Sequence, residues 1–448
     1  MRTAVVVGAG VGGLATAGAL AASGWQVTLL ERGDRLRGTG GAQVIWPNGA
    51  AALDALGLHL GEISFAMPAG GIRRPDGRWI VESTARDGEF EARGTSAENG
   101  PSHQSAGDPR SPYLDATTAT PPPAVMPQPG TGEPGATGTP FVVHADDLHD
   151  ALMAGLGDRI EIRTGVEITS VRVGEANWPA VSTARHTFQA DLVVAADGAR
   201  SLIRRRLAPA ALVASAGYTA WRAVVPWFRA PKLPDPVSPA GEMLGVGMRF
   251  SYATLGERGT SAGSTRGGIY WVATAPGALR PEPPAAQLTL LRRWFADWQS
   301  PVAELLEATE PEDLVPQPAE LLRPLPGQFG FPIGGGGVVL VGDAAHVMAP
   351  TLTQGACLAF EDAATLGVLM RSAIPGGNIN LRLAEYTEAR RARVARIART
   401  SRRLDLVFQA RGRLGMAARD AALSRFSPRV LDRANANAHD WTAPLATY

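Results

Sequence analysis

The run Thr3-Ala-Val-Val-Val-Gly-Ala-Gly-Val-Gly-Gly13 decides the fold of this chain. Its β-branched beginning, 3–7, predicts a parallel strand that is buried on both faces. Small residues at 14–22 predict a helix, and residues 26–30 predict a second strand that ends at Glu31. A strand, a glycine turn, a helix and a strand within about 30 residues form one βαβ unit.

Four glycines, Gly8, Gly10, Gly12 and Gly13, lie where the first strand passes into the helix. Because they lack side chains, a pyrophosphate can approach the N–H groups that begin the helix. Glu31 is placed to accept hydrogen bonds from a ribose. We therefore predict one bound dinucleotide, although this pattern alone does not separate NAD from FAD. The sequence has no second glycine fingerprint between a strand and a helix, so a second dinucleotide must use another surface.

The composition restricts the class of protein. A chain of 448 residues predicts two or three domains. Its formal charge of +1 gives no overall field that would attract nucleic acid or an anionic membrane. Cys357 is the only cysteine, which excludes an intrachain disulfide and a cysteine cluster for zinc or iron–sulfur. We expect a cytoplasmic monomer or homodimer without a nucleic-acid partner.

Two further patterns have an ordinary structural interpretation. The segment His144-Ala-Asp-Asp-Leu-His149 has the residues of a metal site, but we interpret its carboxylates as the cap of a helix and predict no metal. The N-terminal residues are typical of a strand rather than a signal peptide, and no run of about 18 apolar residues predicts a membrane span.

The rest of the chain divides by composition. Residues 94–140 contain 10 prolines and 7 glycines, which predicts a surface insertion, either a mobile loop or a lid. Aromatic and β-branched residues recur among turn residues at 217–275 and predict an antiparallel sheet. Residues 337–341 predict a strand that returns to the first domain. The apolar spacing at 381–408 predicts a long helix, and we interpret the nine arginines at 390–413 as its solvated face.

Two later motifs complete a family pattern. Asp191-Leu-Val-Val-Ala-Ala-Asp197-Gly198 and Gly342-Asp343-Ala-Ala-His346 follow the glycine turn in a characteristic order. With them the chain resembles the FAD-dependent aromatic hydroxylases, the single-component flavoprotein monooxygenases with the para-hydroxybenzoate hydroxylase fold. The segments 41–49 and 217–222 are most similar to the branch with urate, salicylate and hydroxynicotinate hydroxylases and zeaxanthin epoxidase.

This resemblance implies an α/β fold, in which a Rossmann-like FAD-binding domain is interlaced with a middle antiparallel sheet that binds substrate, followed by C-terminal helices. The implied boundaries are 1–82, 141–207 and 325–380 for the three FAD-binding segments, 83–140 for the insertion, 208–324 for the substrate sheet and 381–448 for the C-terminal helices.

The resemblance also implies an activity. NADH or NADPH reduces FAD, O2 adds to form a flavin C4a-hydroperoxide, and one oxygen atom passes to a small aromatic or heteroaromatic substrate. The flavin carries the chemistry, so no catalytic side chain is assigned. An epoxidase that acts on an alkene and a non-catalytic FAD-binding protein are the alternatives, and Ala145, where the family usually has arginine, keeps the second one open.

The resemblance places the cofactor residue by residue. Asp343 holds the ribityl or pyrophosphate segment, Asp197 supports both FAD and NAD(P)H, and Pro350 lies beside the position where oxygen adds. The full set of implied cofactor residues is Gly8, Gly10, Gly12, Gly13, Glu31, Arg32, Val44, Asp197, Gly342, Asp343, Pro350, Thr353, Gln354, Gly355, Ala356 and Cys357.

Four other side chains have less specific roles. Arg222 and Trp221 are our candidates for substrate contact, because they are adjacent on the middle sheet. We interpret His346 as structural and the Cys357 side chain as a small packing group. Thr353 stands where the family usually has glycine, and it fits that position only if it holds a backbone geometry that glycine prefers.

Overall fold

The computed structural model describes residues 1–36, 38, 40–67, 70–82, 140–173, 178–233, 240–255, 266–425 and 438–444. The insertion that we predicted at 94–140 lies outside the described residues, except for its last residue. The α/β class that the sequence predicts is confirmed, with a parallel sheet, a separate antiparallel sheet and C-terminal helices.

A six-stranded sheet contains the βαβ unit that we predicted. Strand labels follow chain order, and the order across this sheet is β18 (Gly330–Ile333), β19 (Gly336–Leu340), β12 (Leu192–Ala195), β1 (Thr3–Val7), β2 (Gln26–Leu30) and β8 (Ile160–Arg163). All neighbours are parallel except β18, which pairs antiparallel to β19 at one edge. Every residue of β12 and β19 is buried, as the continuous apolar runs predict.

A seven-stranded sheet forms the second layer. Its order is β17 (Val315–Arg323), β13 (Leu212–Pro226), β16 (Gly268–Pro276), β15 (Arg249–Thr254), β14 (Ala240–Leu244), β5 (Ile72–Arg73) and β6 (Trp79–Val81). The antiparallel pairs among β13 to β16 lie where the sequence predicts an antiparallel sheet. The N-terminal segment also contributes two strands to this sheet, since β5 pairs with β14.

Two small sheets flank these layers. One joins β3 (Ala42–Ile45), β7 (Phe141–His144) and β4 (Ser64–Ala66). The other joins β11 (Thr187–Gln189), β10 (Pro179–Ser182) and β9 (Ser170–Val173).

Ten α-helices lie within the described ranges. They are α1 (Val11–Ala22), α2 (Pro47–Ala55), α3 (Ala145–Ala154), α4 (Leu202–Leu207), α5 (Pro284–Trp294), α6 (Val302–Ala308), α7 (Asp343–His346), α8 (Gly355–Arg371), α9 (Ile379–Phe408) and α10 (Arg413–Arg425). In the same part of the chain, no helix is long and apolar enough to cross a membrane.

Helix α8 packs closely against α1 through small residues. A Cβ atom added at Gly367 would lie 2.9 Å from the Ala19 Cβ, and one added at Gly12 would lie 3.2 Å from the Ala359 Cβ. These short distances bring α8 directly against the helix that begins at the glycine turn. The start of α8 therefore lies on the same side of the parallel sheet as the glycine turn.

A cluster of buried charges joins α8 to α9, and we call it the α8–α9 ion cluster. Its members are Glu361 and Asp362 on α8 and Arg390 and Arg393 on α9. The Arg390 guanidinium donates to Asp362 over 2.7 Å and to Glu361 over 2.6 Å, while the two Arg393 donors lie 2.6 and 2.7 Å from the Glu361 oxygens. All four side chains are at most 9% exposed. The solvated face that we predicted at 390–413 is therefore wrong for these two arginines.

Mutual compensation is what allows these charges to be buried. An unpaired buried charge is costly, whereas two carboxylates and two guanidinium groups neutralise one another and satisfy each other's hydrogen bonds. Burial alone would raise the pKa of Asp362, but His346 and Arg390 together lower it below its ordinary value of 3.8. A carboxylate with a lowered pKa stabilises the fold above that ordinary value and loses its contribution as the pH falls through the lowered one.

We predict that Arg390→Met lowers the free energy of unfolding by about 3–5 kcal/mol, because it leaves buried carboxylates without a partner. Arg382→Met, on the same helix, removes a partly exposed pair with Glu385 and is expected to cost less than about 1 kcal/mol. Urea denaturation of both variants measures the difference. Equal losses would show that the α8–α9 ion cluster is not a principal contributor to stability.

Candidate functional site

The glycine turn has the geometry that a pyrophosphate site requires. Gly8 has a φ of 105°, and a Cβ atom there would lie 2.3 Å from the Ala196 carbonyl oxygen. A Cβ atom at Gly13 would lie 1.9 Å from the Gly8 carbonyl oxygen. Only glycine fits either position. Gly10 is the N-cap of α1 and provides no side-chain cap, so the first N–H groups of that helix are available to a ligand.

Glu31 lies at the end of β2, beside this turn. Its carboxylate accepts hydrogen bonds from the backbone N–H groups of Ala9, over 2.8 Å, and Gly33, over 2.9 Å. Each carboxylate oxygen has a further lone pair. Glu31 therefore orders the glycine turn and retains acceptors for a ribose hydroxyl. Arg32, the next residue, is exposed.

Asp343 follows β19 at the same edge of the parallel sheet. Its side chain is exposed, yet burial among protein groups raises the pKa of its carboxyl, with His346 and Arg204 opposing that effect. The side chain is thus accessible but has protein groups around it, as expected at the carboxyl ends of parallel strands, where a crevice forms. A Cβ atom at Gly355 would lie 3.9 Å from Asp343 Oδ1, so the carboxylate faces the start of α8. Gly342 has a φ of 56° and makes the turn between β19 and α7.

Asp197, at the end of the neighbouring strand β12, orients α4. Its Oδ2 accepts from the Leu202 N–H over 2.8 Å, while its buried Oδ1 has no partner among the described residues. Burial raises the pKa of this carboxyl. On α4, Arg204 donates to the carbonyl oxygens of Ala344, over 3.0 Å, and Asp343, over 3.4 Å. One arginine thus ties the Asp197 motif to the Asp343 motif.

Thr353 holds the geometry that its family position requires. Among the residues that the structure describes, it alone of the non-glycine residues has a positive φ, of 50°. A β-branched residue in this region is strained by about 1–2 kcal/mol. The hydroxyl offsets that strain, because it accepts from Trp46 Nε1 over 2.7 Å and donates to the Leu352 carbonyl over 2.8 Å.

Trp46 is held in place by the C-terminal residues. Its ring stacks on His439 with the ring centroids 4.3 Å apart. Arg393 donates to the carbonyl oxygens of the two flanking residues, Ala438 and Asp440, over 2.8 Å each. The α8–α9 ion cluster therefore also fixes the residues that pack on Trp46.

The remaining cofactor candidates on α8 divide into two groups. Gly355 and Ala356 are half-buried and line the open side of the helix start, next to exposed Pro350. The side chains of Gln354 and Cys357 are buried, so any contact of these two residues with a cofactor is made by backbone atoms, and their place beside it stays a prediction. Gln354 accepts from Asn48, and that amide also donates to Glu361.

Cys357 packs between α8 and the β3–α2 segment. Its sulfur donates to the Val44 carbonyl over 3.8 Å and accepts from the Trp46 N–H over 3.4 Å. A Cβ atom at Gly49 would lie 2.7 Å from this sulfur. Burial raises the pKa of the thiol to about 12, so it remains protonated. Val44 is half-buried and turns its carbonyl toward Cys357.

Helix α9 also holds the loop between α7 and α8. Ser401 donates to the Ala349 carbonyl over 2.9 Å. One turn further, Asp405 Oδ1 accepts from the Thr351 hydroxyl over 2.6 Å and from the Tyr218 hydroxyl over 2.7 Å. Burial raises the pKa of Tyr218, so this hydroxyl stays a donor. Both flanks of Pro350 are thereby fixed.

The second sheet turns Arg222, but not Trp221, toward the crevice. Arg222 and Tyr270 lie side by side facing Gly41, since a Cβ atom there would lie 3.6 Å from the Arg222 Cβ and 3.5 Å from Tyr270 Cε2. The positive charge of Arg222 also acts to lower the pKa of the Asp343 carboxyl. Trp221 points to the opposite face, where its Nε1 donates to Gln287 over 2.7 Å in the core of the second sheet. Neighbouring strand residues face opposite sides, so our prediction that both contact substrate is wrong for Trp221.

Two earlier interpretations have clear outcomes. His346 is fully buried, and its Nε2 lies 2.7 Å from Asp362, which fits a structural role. Helix α3 begins where the sequence predicts, but its cap is the His144 ring, which accepts from the Asp146 N–H, rather than a carboxylate. Within the described ranges, no cluster of histidine, cysteine and acidic residues has the arrangement of a metal site.

Sequence reasoning missed the residues that support the site from behind. They are Trp46, Arg204, Tyr270, Glu361, Asp362, Arg390 and Arg393. The sequence contains one signal of the α8–α9 ion cluster. Charged residues are rarely buried, and yet α8 is apolar with two adjacent acids and α9 has two arginines three residues apart.

Comparison with known proteins identifies the family. A model of the FAD binding domain matches residues 1–275 and 329–401, which is most of the chain. The chain belongs to this family. The predicted resemblance to FAD-dependent aromatic hydroxylases and the predicted FAD cofactor are confirmed.

Two curated relatives and one solved structure are similar to the chain. Aurachin C monooxygenase/isomerase of Stigmatella aurantiaca is 33% identical over 234 residues, which are 51% of this chain and 55% of that protein. The chain thus matches about half the length of that relative. FAD-dependent urate hydroxylase of Klebsiella pneumoniae is 27% identical over 430 residues, 92% of this chain and 89% of the relative.

The solved structure of Klebsiella pneumoniae HpxO with FAD and uric acid aligns with a TM-score of 0.72. The alignment covers 98% of this chain and 96% of that chain at 22% identity, so it demonstrates the shared fold.

We predict that Thr353→Val lowers the free energy of unfolding by about 1–3 kcal/mol, because valine keeps the strained backbone but loses both hydroxyl hydrogen bonds. Thr353→Ser keeps the hydroxyl and is the matched control, with an expected loss below about 1 kcal/mol. Urea denaturation measures both. If the valine variant is as stable as the serine variant, the Trp46 contact does not stabilise this turn.

We predict that Asp343→Ala lowers the FAD content of the purified protein, because the side chain lines the crevice at the end of β19. Asp297→Ala removes an exposed carboxylate in the segment that follows α5 and is expected to leave FAD content unchanged. The ratio of flavin to protein absorbance gives the result. An unchanged ratio in the Asp343 variant would show that this carboxylate does not hold the cofactor.

Proposed function

We propose that this protein is a FAD-dependent monooxygenase that consumes NADH or NADPH and inserts one oxygen atom from O2 into an aromatic or heteroaromatic small molecule. The names of the relatives, a monooxygenase and a urate hydroxylase, support the reaction class. The single, buried cysteine supports action in a reducing compartment such as the cytoplasm.

The position of Arg222 beside Tyr270, where both face Gly41, carries this proposal. Arg222 brings a permanent positive charge from the second sheet toward the Asp343 edge of the first. A guanidinium group binds planar anions and electron-rich heteroaromatic rings through a flat array of donors. Burial raises the pKa of Tyr270, so its hydroxyl remains a donor at neutral pH. The two groups together suit a planar substrate with oxygen acceptors.

The residues around the crevice fit FAD and divide its support between them. The glycine turn and α1 offer N–H groups to the pyrophosphate, Glu31 offers acceptors to the ribose, and Asp343 offers acceptors to the polar chain between them. The bound FAD supplies the redox chemistry and the activation of O2. The first N–H groups of α8, at Gly355 and Ala356, would provide positive partial charge to a reduced flavin held at the start of this helix.

The protein also controls water and geometry in this proposal. Pro350 provides a rigid wall, and Ser401 and Asp405 keep its neighbours in place. Arg222 and Tyr270 orient the substrate against the opposite side of the crevice. Substrate orientation and exclusion of water favour transfer of oxygen over unproductive consumption of NAD(P)H.

Labelled dioxygen tests the reaction. The purified, FAD-loaded protein is incubated with NADH or NADPH and a panel of hydroxylated aromatic and purine-like compounds, first to find those that stimulate NAD(P)H oxidation. Mass spectrometry of the product is then expected to show one atom of ¹⁸O from ¹⁸O2. Product without label, or stimulated oxidation without product, would exclude a monooxygenase for that panel.

We predict that Arg222→Gln raises KM for such a compound at least tenfold, since a hydrogen bond to a charged group contributes about 1.5–3 kcal/mol. FAD content is expected to stay the same. Arg280→Gln, at an exposed position between β16 and α5, is the control and should leave KM unaltered. Steady-state kinetics of both variants measure KM. Equal KM values would show that Arg222 does not contact the substrate.

A further inference from the structure

A basic groove lies between β9 and α4, outside the FAD site. It has a volume of about 510 Å³. Ser170 and Arg172 line it from β9, and Leu202, Arg205 and Arg206 line it from α4. Arg172, Arg205 and Arg206 are exposed, and within the described part of the chain none of them forms an ion pair with a carboxylate. Among the described residues, these three guanidinium groups form a local excess of positive charge, in a chain whose formal charge is only +1.

The groove opens beside the dinucleotide crevice. On one side, the residues before β9 are tied to the Glu31 edge, because the Val166 N–H donates to the Glu31 carbonyl over 2.8 Å and the Gly165 N–H to the Gly33 carbonyl over 2.9 Å. On the other side, Leu202 donates its N–H to Asp197. The segments that lead into both walls therefore leave the carboxyl ends of the parallel strands β8 and β12, which is the edge of the sheet where the glycine turn lies.

The chemistry of the groove suits a phosphate monoester. Arginine side chains bind phosphate oxygens through pairs of N–H donors, and three of them match a group that carries close to two negative charges at neutral pH. Arg172 also lies 3.3 Å from the Ser170 hydroxyl, which can itself donate to a phosphate oxygen. The half-buried Leu202 side chain completes the lining and offers apolar surface to an aromatic base.

We propose that this groove binds the 2′-phosphate of NADPH and gives the enzyme a preference for NADPH over NADH. The inference rests on the proposed function, which needs a second dinucleotide, and on the presence of one glycine fingerprint, which serves FAD. The 2′-phosphate is the group that distinguishes the two nicotinamide cofactors. Arg205 and Arg206 bind it from α4, and Arg172 binds it from β9.

Calorimetry on the FAD-loaded protein tests the groove without turnover. The probes are 2′,5′-ADP, which carries the 2′-phosphate, and 5′-ADP, which does not. We expect 2′,5′-ADP to bind at least tenfold more tightly, and the double variant R205Q/R206Q to lose that difference. The control R402Q/R403Q removes two adjacent exposed arginines from α9 and should keep it. Equal binding of the two probes by the unmodified protein, or an undiminished difference in R205Q/R206Q, would overturn the proposal.

Kinetics provide the second measurement and separate the two proposals. In R205Q/R206Q, the ratio of kcat/KM for NADPH to that for NADH is expected to fall at least tenfold relative to R402Q/R403Q. An unchanged ratio would overturn the groove assignment while leaving the monooxygenase intact. A protein that oxidises neither nicotinamide cofactor would refute the proposed function, and the calorimetric result would still decide whether the groove binds a 2′-phosphate.

Discussion

The buried contact between the Glu361–Asp362 pair and the arginines of α9 is the interaction on which the cofactor side of this structure depends. Charges with so little exposure persist only when each has a partner, because an unpaired one costs several kcal/mol. The need of each buried charge for a partner fixes the register in which α9 packs against α8. It also reaches the Gly342 turn, since Asp362 Oδ2 accepts from the Gly342 N–H over 2.9 Å.

Through this contact one 30-residue helix supports the whole strand-to-helix segment that faces the FAD crevice. Near its middle, Arg390 and Arg393 hold α8, and toward its end, Ser401 and Asp405 hold the loop that contains Pro350. Oxygen transfer would require reacting groups at defined distances, so a firm support on this side of the crevice would help to orient a bound cofactor. The second sheet then presents Arg222 to an edge of the parallel sheet that α9 holds in place.

The sequence predicted what depends on local pattern and missed what depends on distant pairing. The β1–α1–β2 unit and the turn at Gly342 follow from apolar runs and glycines, whose effect is confined to a few neighbours. The strand pairing that takes β5 into the second sheet joins residues far apart in the chain, and no local pattern encodes it. Alternation along β13 indicates that Trp221 and Arg222 face opposite ways, but only the packing of the two sheets shows which one meets the crevice.

The affinity of the apoprotein for FAD in the Asp362→Asn variant tests the central role of the α8–α9 ion cluster most directly. Asparagine keeps the size of the side chain but removes the charge that Arg390 and His346 share. If the cluster positions the FAD crevice, Kd from flavin fluorescence rises at least tenfold, which is about 1.4 kcal/mol, while the circular dichroism of the folded protein is retained. A Kd within twofold of that of the unmodified protein would contradict the account and leave the cluster with a role in stability alone.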